Sequence, residues 1–200
     1  MSRLALGAKP SVLRCGRCGR FMDWEDSRLQ VVCQCRPRLD LPPVFVREAT
    51  EADAAATLEL FERDFRRTTV LAFGELMSLA ELPAIVAEMK DDVAGALAYR
   101  LLTDAFQIVA LATDPLWQRS GVGGYLVAEA ELMARRLRLP RVIFCASNDN
   151  LPALYFYQRR AYRITEVLPG AMLPHVRPAF ACGFAGIPVR DEIRLEKLLE

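Results

Sequence analysis

A cluster of glycines near the middle of the chain is the feature that most restricts its fold. The segment WQRSGVGG, from Trp117 to Gly124, stands between the apolar segment AFQIVALAT and an amphipathic one. Glycine costs about 0.5–1 kcal/mol relative to alanine inside a helix, so three of them at a helix start need a reason. Backbone N–H groups and the helix dipole make such a start a site for an anion, and glycine leaves it open. The sequence therefore predicts a strand, an anion-binding turn and a helix in succession.

The two most familiar phosphate-binding patterns do not match this segment. A P-loop requires Lys and then Ser or Thr after its last glycine, whereas Gly124 is followed by Tyr125 and Leu126. A dinucleotide fingerprint that starts at Gly121 requires Gly or Ala at the position of Leu126. The pattern Gln118-x-x-Gly121-x-Gly123 instead resembles the Gln/Arg-x-x-Gly-x-Gly/Ala signature of the GNAT family of N-acetyltransferases. A turn whose glycines serve only helix packing is the competing interpretation.

A second segment extends the resemblance. NLPALYFYQRRAYR is similar to the family pattern Asn-x-x-Ala-x-x-Phe-Tyr-x-x-x-Gly-Phe, with Ala161 in place of the glycine and Tyr162 in place of the phenylalanine. The matching residues are Asn150, Ala153, Phe156 and Tyr157. IVALATDPLWQ, before the glycines, and GIPVRDEIRLEKLL, at the end, also resemble family segments. The resemblance covers about residues 44–199.

The resemblance implies an α/β (α+β) fold, in which a mixed, mostly antiparallel sheet is flanked by helices. It also implies that acetyl-CoA is the co-substrate and that a primary amine attacks its thioester directly. Tyr157 would be the general acid, with a core tyrosine as the alternative, and Asn150 would be a helix cap or a cofactor contact or both. The residues expected to bind acetyl-CoA are Leu111, Ala112, Thr113, Gln118, Arg119, Ser120, Gly121, Val122, Gly123, Gly124, Asn150 and Tyr157.

The periodicity of apolar residues predicts the remaining elements. A strand over 44–49 is followed by a helix that starts with the capping sequence TEAD, and a second helix is expected around Val70 to Leu79. Three strands then lie over 84–89, 93–102 and 105–113, and the helix after the glycines runs to about Leu139 with an exposed Glu131–Arg135 pair. A strand over 141–146, a helix over 150–160 and a strand from Ala161 follow. The last segment, VRDEIRLEKLL, fits a strand or a helix.

Two pairs of cysteines lie near the start of the chain. Cys15-x-x-Cys18 and Cys33-x-Cys35 offer four thiolates, which suit a tetrahedral structural Zn²⁺. The arrangement resembles a zinc ribbon, and residues 1–40 are too few to form a core without such a link. The alternatives are a disordered tail and a redox pair. We therefore expect a zinc-ribbon-like module over 1–40 and an acetyltransferase domain over 41–200, because the proline-containing segment from Arg36 to Pro43 resembles a linker.

Charge and composition leave the partners open. Lys and Arg number 26 and Asp and Glu 25, a net charge of +1, but residues 1–40 carry eight basic and four acidic residues, a net +4. That charge permits contact with nucleic acid without requiring it, and a homodimer is equally permitted. No apolar segment is long enough to span a membrane and no export signal is evident, so a reducing cytoplasmic location is expected. The resemblance implies that the acceptor is a small-molecule or protein amine.

Two questions stay open at this stage. The sequence does not single out the base that takes the proton of the amine, although Asp114 and Glu75 are candidates. Cys145 is expected to be a buried apolar residue, and His175 and Cys182 are expected to lie in a loop. The competing function is a non-catalytic acyl-CoA sensor or scaffold whose ribbon contacts nucleic acid or protein. Tyr157 favours catalysis over sensing.

Overall fold

The computed structural model describes residues 23–25, 30–32, 42–90, 92–118, 120–176 and 181–200. In the first part of the chain, strands β1 (Asp23–Glu25) and β2 (Gln30–Val32) form an antiparallel pair. The four cysteines of the predicted zinc site, Cys15, Cys18, Cys33 and Cys35, lie outside the described residues, as does Arg119.

A seven-stranded sheet is the centre of the fold. Its strands in spatial order are β10, β11, β9, β8, β7, β6 and β3, and every neighbouring pair is antiparallel except β8 and β9. The strands are β3 (Phe45–Glu48), β6 (Ala84–Met89), β7 (Asp92–Leu101), β8 (Phe106–Thr113), β9 (Arg141–Ser147), β10 (Arg163–Leu168) and β11 (Glu192–Leu198). The expected mixed, mostly antiparallel sheet is confirmed, and the ambiguous last segment is a strand.

The two faces of the sheet carry separate apolar cores. Helices α2 (Val122–Arg136) and α3 (Leu151–Gln158) cover one face, where Leu126 and Tyr157 pack against strand residues such as Phe144. Helix α1 (Ala54–Phe65) covers the other face, where Leu60 and Phe61 contribute to the core. Among the described residues, no helix is long and apolar enough to cross a membrane.

The expected helix around Val70 to Leu79 is wrong. This segment forms a hairpin of β4 (Thr69–Ala72) and β5 (Glu75–Ser78), which contributes to the same core as α1. Its buried residues alternate along the chain, as the period of a half-buried strand requires, and they are Val70, Ala72, Met77 and Leu79. Phe73 and Gly74 form the turn with positive φ angles of 54° and 77°, a conformation that a hairpin turn needs and a helix excludes.

The start of α1 follows the predicted capping sequence. The backbone N–H of Thr50 donates to Oδ2 of Asp53 at 2.7 Å, and a 3₁₀ turn over Glu51–Asp53 precedes the helix. The guanidinium of Arg47 donates to both oxygens of Asp53, at 2.7 and 2.9 Å, and holds the pKa of that buried carboxyl well below its usual range. Strand β3 is thereby attached to the first turn of α1.

The exposed pairing expected for Glu131 is also wrong. Glu131 is buried on α2, and its Oε2 accepts a hydrogen bond from Nζ of Lys197 on β11 at 2.7 Å. The helix is shorter than expected, because Leu137 is the C-cap residue and is half exposed. A partner distant in sequence thus decides which side of α2 a charged residue occupies.

Ala161, in place of the glycine of the resembled family pattern, has a φ angle of 67° in the turn between α3 and β10. A left-handed conformation costs a residue with Cβ about 1–2 kcal/mol, whereas glycine adopts it freely.

We expect Ala161→Gly to raise the free energy of unfolding by about 0.5–1 kcal/mol, because relief of this strain exceeds the extra chain entropy that glycine loses. Urea unfolding measures the change. The control is Ala54→Gly, because Ala54 has a right-handed helical φ of −56°. That substitution should lower stability, and a loss of stability in both variants would contradict the interpretation.

Candidate functional site

The parallel pair β8 and β9 is joined over only a short length. In the described part of the chain, its register covers Phe106–Ile108 against Val142–Phe144. Both strands continue, β8 to Thr113 and β9 to Ser147, without pairing with each other. We call this separation the fork. On its other edge β8 stays paired with β7 up to Thr113, so the backbone groups of β8 that face the fork have no strand partner in the described residues.

The glycine-rich turn begins α2 a few residues after the end of β8. Gly121 is the N-cap with a φ angle of 101°, and no described side chain caps the helix. The N–H groups of Gly124 and Tyr125 donate to the carbonyl of Gly121, at 2.8 and 3.1 Å. The N–H groups of Val122 and Gly123 lie in the first turn, where a helix provides no acceptor. The turn therefore has the features of an anion site at a helix start.

Other predicted residues occupy this turn or the strand before it. Leu111, Ala112 and Thr113 are the last residues of β8, with Ala112 directed to the α1 core and Leu111 packed against the α2 core. Nε2 of Gln118 approaches the carbonyl of Thr113 at 3.4 Å, and the N–H of Ser120 donates to the carbonyl of Trp117 at 3.2 Å. The structure thus brings this set together, apart from Arg119, which is not described.

Glycines allow close packing around the turn, and one of them, Gly95, lies outside the predicted motif. A Cβ on Gly95 of β7 would lie 2.6 Å from Cγ1 of Val122, closer than two carbons can approach. A Cβ on Gly123 would lie 3.5 Å from Leu111 and Phe156, an ordinary contact. Gly95 is therefore the residue that lets the first turn of α2 pack onto β7. A lone glycine within the strand pattern VAGALAY was the available signal.

Arg160 is a second residue that the sequence analysis missed. Its Nη2 lies 2.6 Å from where a Cβ on Gly124 would be, next to the start of α2. The guanidinium stacks on the ring of Phe156 at 3.7 Å, and Nη1 donates to the carbonyl of Phe156 at 3.0 Å. No carboxylate in the described ranges forms an ion pair with it, and burial lowers its pKa from the usual value. Nothing in the sequence distinguished Arg160 from the exposed Arg159.

Tyr157 lies at the point where the fork opens. Its ring stacks on Phe144, the last residue of β9 that pairs with β8, with ring centroids 3.9 Å apart. The residue is 2% exposed, and its hydroxyl has no hydrogen-bond partner among the described residues. Burial raises the pKa of Tyr157 well above its ordinary value, against the lowering effect of the positive charge on Arg160, so the hydroxyl keeps its proton at neutral pH.

Asn150 is the N-cap of α3. Its Oδ1 accepts a hydrogen bond from the N–H of Ala153 at 3.2 Å, and the residue is exposed, unlike Tyr157 on the same helix. The cap interpretation is therefore satisfied. A cofactor contact through the remaining amide group stays a prediction.

Neither candidate base is a free carboxylate. Oδ2 of Asp114 accepts a hydrogen bond from Arg63 at 2.8 Å, and Oε2 of Glu75 accepts one from Arg100 at 2.6 Å. Cys145 is buried as expected, and burial raises the pKa of its thiol to about 12. His175 and Cys182 are exposed. Within the described ranges no group of three or more His, Cys, Asp or Glu residues is suited to hold a metal.

The chain is similar in sequence to known proteins. The family model described as "Acetyltransferase (GNAT) family" matches residues 44–162, more than half of the chain. An uncharacterized protein of Bacillus subtilis, YxbD, is 32% identical over 120 residues, which are 56% of this chain and 72% of that protein.

Solved structures show the same fold. An IAA acetyltransferase from Bacillus cereus aligns with a TM-score of 0.61 at 20% identity, covering 78% of this chain and 100% of that one. A Bacillus subtilis acetyltransferase solved in complex with CoA aligns with a TM-score of 0.59 at 21% identity, covering 80% and 100%.

Proposed function

The chain belongs to the acetyltransferase (GNAT) family, and from this premise we propose that it transfers the acetyl group of acetyl-CoA to a primary amine by direct attack. The observation that carries the proposal is the fork, which begins at the buried hydroxyl of Tyr157 and ends at the glycine-rich turn. The bound acetyl-CoA supplies the acetyl group as a thioester. The residues of this chain bind it, orient it and move a proton.

The phosphate-binding part of the site combines backbone and side-chain donors. The first-turn N–H groups of Val122 and Gly123 suit the pyrophosphate, together with the dipole of α2. Arg160 adds a positive charge beside the same turn, and the carboxylate that acts on it, Glu131, is itself paired with Lys197. An anion at this turn would satisfy both. The fit of the turn to a phosphate therefore does not depend on its glycines alone.

The edge of β8 that faces the fork suits the pantetheine arm. Leu111 to Thr113 would exchange backbone hydrogen bonds with the amides of the arm, as an added strand would. A backbone N–H at the fork would stabilise the negative charge that develops on the thioester oxygen. With these interactions the thioester would lie near the closed end of the fork, beside Tyr157.

Tyr157 suits the role of general acid. It holds its proton at neutral pH and has no partner that competes for it in the described residues. As the new C–N bond forms and the C–S bond breaks, the hydroxyl donates its proton to the departing sulfur. The amine loses a proton to a base that the geometry does not single out, because Asp114 and Glu75 are both ion-paired. No finding favours the alternative function of a non-catalytic sensor.

The four cysteines are proposed to hold one structural Zn²⁺. The proposal rests on their spacing and on the short β1–β2 pair, which lies between the two cysteine pairs in the chain. Four thiolates fill a tetrahedral site, so no step of the transfer depends on the metal. The division into residues 1–40 and 41–200 and a cytoplasmic location stay predictions.

The role of Arg160 can be tested by comparing its substitution with that of the adjacent Arg159. We expect Arg160→Gln to raise the Kd of acetyl-CoA about tenfold through loss of a charge-assisted phosphate contact. The affinity for acetyl-pantetheine, which has no pyrophosphate, should not change. Arg159→Gln is the matched control, because Arg159 is exposed and lies against Tyr155. Calorimetry with both ligands is the measurement, and equal acetyl-CoA affinities in the two variants would exclude the assignment.

The role of Tyr157 is testable by removing one oxygen. We expect Tyr157→Phe to slow the chemical step about 10²–10⁴-fold. Its melting temperature should be unchanged or higher, because a buried hydroxyl without a partner costs about 1–3 kcal/mol.

Tyr162→Phe is the control for this substitution. Tyr162 is equally buried, and its hydroxyl also has no hydrogen-bond partner among the described residues. Its loss should leave the rate intact. Single-turnover kinetics and thermal melts distinguish the two roles, and equal rates for the two variants would make Tyr157 a packing residue.

The zinc proposal predicts one equivalent of metal per chain. Mass spectrometry of protein purified without chelators measures it, and the double substitution Cys15→Ser, Cys18→Ser should abolish it. Cys182→Ser, at an exposed cysteine outside the four, should retain it. A wild-type content below about half an equivalent would contradict a structural site.

A further inference from the structure

A buried carboxylate that the proposed reaction does not use lies beside the fork. Glu192 is the first residue of β11 and pairs with Ser147, the last residue of β9, past the point where β8 and β9 separate. Its side chain is 2% exposed. Directly paired residues share a face, and alternate residues along a strand do as well. Glu192 therefore lies on the face of Arg194 and Cys145, opposite the face that α2 and α3 cover.

The carboxylate is only partly satisfied. Oε1 accepts a hydrogen bond from Nε of Arg194 at 2.7 Å, whereas Oε2 accepts one from the N–H of Gly74 at 3.4 Å, and the carboxylate lies close enough to Cys145 to raise the pKa of its thiol. That distance exceeds the usual range for a protein N–H···O bond. Nη1 of Arg194 donates to Glu166 at 2.9 Å, so two carboxylates share one guanidinium. The group of three carries one net negative charge.

The cover over Glu192 is joined to it by one long hydrogen bond. The turn of the β4–β5 hairpin supplies it, through the N–H of Gly74 to Glu192 and the N–H of Phe73 to Sγ of Cys145, both at 3.4 Å. The ring of Phe73 lies 5.2 Å from the guanidinium of Arg194. A Cβ on Gly74 would contact nothing within 4 Å, so the turn is open to solvent on its outer side.

A cavity of about 240 Å³ adjoins this cover. Phe73 and Arg194 form the wall nearest to Glu192, and Ile143 adds an apolar surface. Glu166 and Glu196 contribute carboxylates and Arg141 and Arg194 contribute guanidinium groups, so the charges of the lining itself balance. The buried carboxylate of Glu192, which is bonded to Arg194, leaves one negative charge in excess beside the apolar wall. Such a site suits an alkyl chain that ends in a cation.

We propose that this cavity binds the acceptor, a small alkyl amine in its ammonium form, and that Oε2 of Glu192 receives the ammonium in place of the long bond from Gly74. The inference rests on the proposed function, which assigns the face of α2 and α3 to acetyl-CoA. Direct attack then requires the amine to reach the fork from the opposite face. Glu192 is the buried carboxylate on that face beside the fork.

Two variants test the assignment with butylamine and 1,4-diaminobutane as acceptors at saturating acetyl-CoA. We expect Glu192→Gln to raise the KM of the amine about tenfold or more, because it loses one charge-assisted hydrogen bond, and to change kcat much less. Glu166→Gln, at a half-exposed carboxylate that should not affect folding, removes the same net charge and should raise the KM several-fold. Glu129→Gln, on α2 at the other face, is the control and should leave the KM unchanged.

The outcomes separate this inference from the proposed function. Acetyl-CoA affinity is measured by calorimetry without an acceptor, and its absence in the wild type would contradict the proposed function itself. If the wild type binds acetyl-CoA and acetylates a small amine while both Glu192→Gln and Glu166→Gln keep the wild-type KM, the inference alone is wrong. Transfer only to a lysine-containing peptide, with neither small amine accepted, would also overturn it. A melting temperature recorded for each variant identifies loss of fold. If Glu192→Gln does not fold, the KM of Glu166→Gln tests the inference alone.

Discussion

The early end of the pairing between β8 and β9 is the constraint on which the rest of the site depends. Two parallel strands that part after Ile108 and Phe144 leave one edge of β8 without a strand partner in the described residues, inside an otherwise continuous sheet. Unpaired backbone groups are costly when buried, so such an edge requires another source of hydrogen bonds. The extended amide-containing arm of acetyl-CoA is a ligand of that kind. The turn at Gly121 and the ring of Tyr157 mark the two ends of the same opening.

The fork also divides the chemistry between the two faces of the sheet. On one face lie the start of α2, Arg160 and Tyr157, which we assign to the donor. On the other lie Cys145, Glu192 and the β4–β5 hairpin, which we assign to the acceptor. The high pKa of the Cys145 thiol, raised by burial and by Glu192, makes a covalent acyl-cysteine a poor route at neutral pH. Direct attack through the opening is the chemistry that this division supports.

The sequence predicted those parts of the fold that local pattern decides. A strand, a short segment with three glycines and an amphipathic helix lie in order along the chain, so the sequence predicted the β8–turn–α2 unit, and it also predicted the capping of α1 by Thr50 and Asp53. The prediction from the sequence was wrong where contacts between distant residues determine the conformation. Lys197 buries Glu131, and the Phe73–Gly74 turn converts an expected helix into a hairpin. Arg160 differs from Arg159 only in what it packs against, and Glu192 is covered by a turn whose Gly74 lies 118 positions earlier, so the sequence distinguished neither residue.

Hydrogen–deuterium exchange with and without acetyl-CoA tests the central claim, that the fork holds the co-substrate. The account predicts that saturating acetyl-CoA slows exchange in peptides covering Leu111–Thr113 and in those covering Val122–Tyr125. Acetyl-pantetheine should protect the first set alone, because it has no phosphates for the turn. Unchanged exchange at both places despite measured binding, or protection confined to β10 and β11, would show that acetyl-CoA binds elsewhere and would contradict the account.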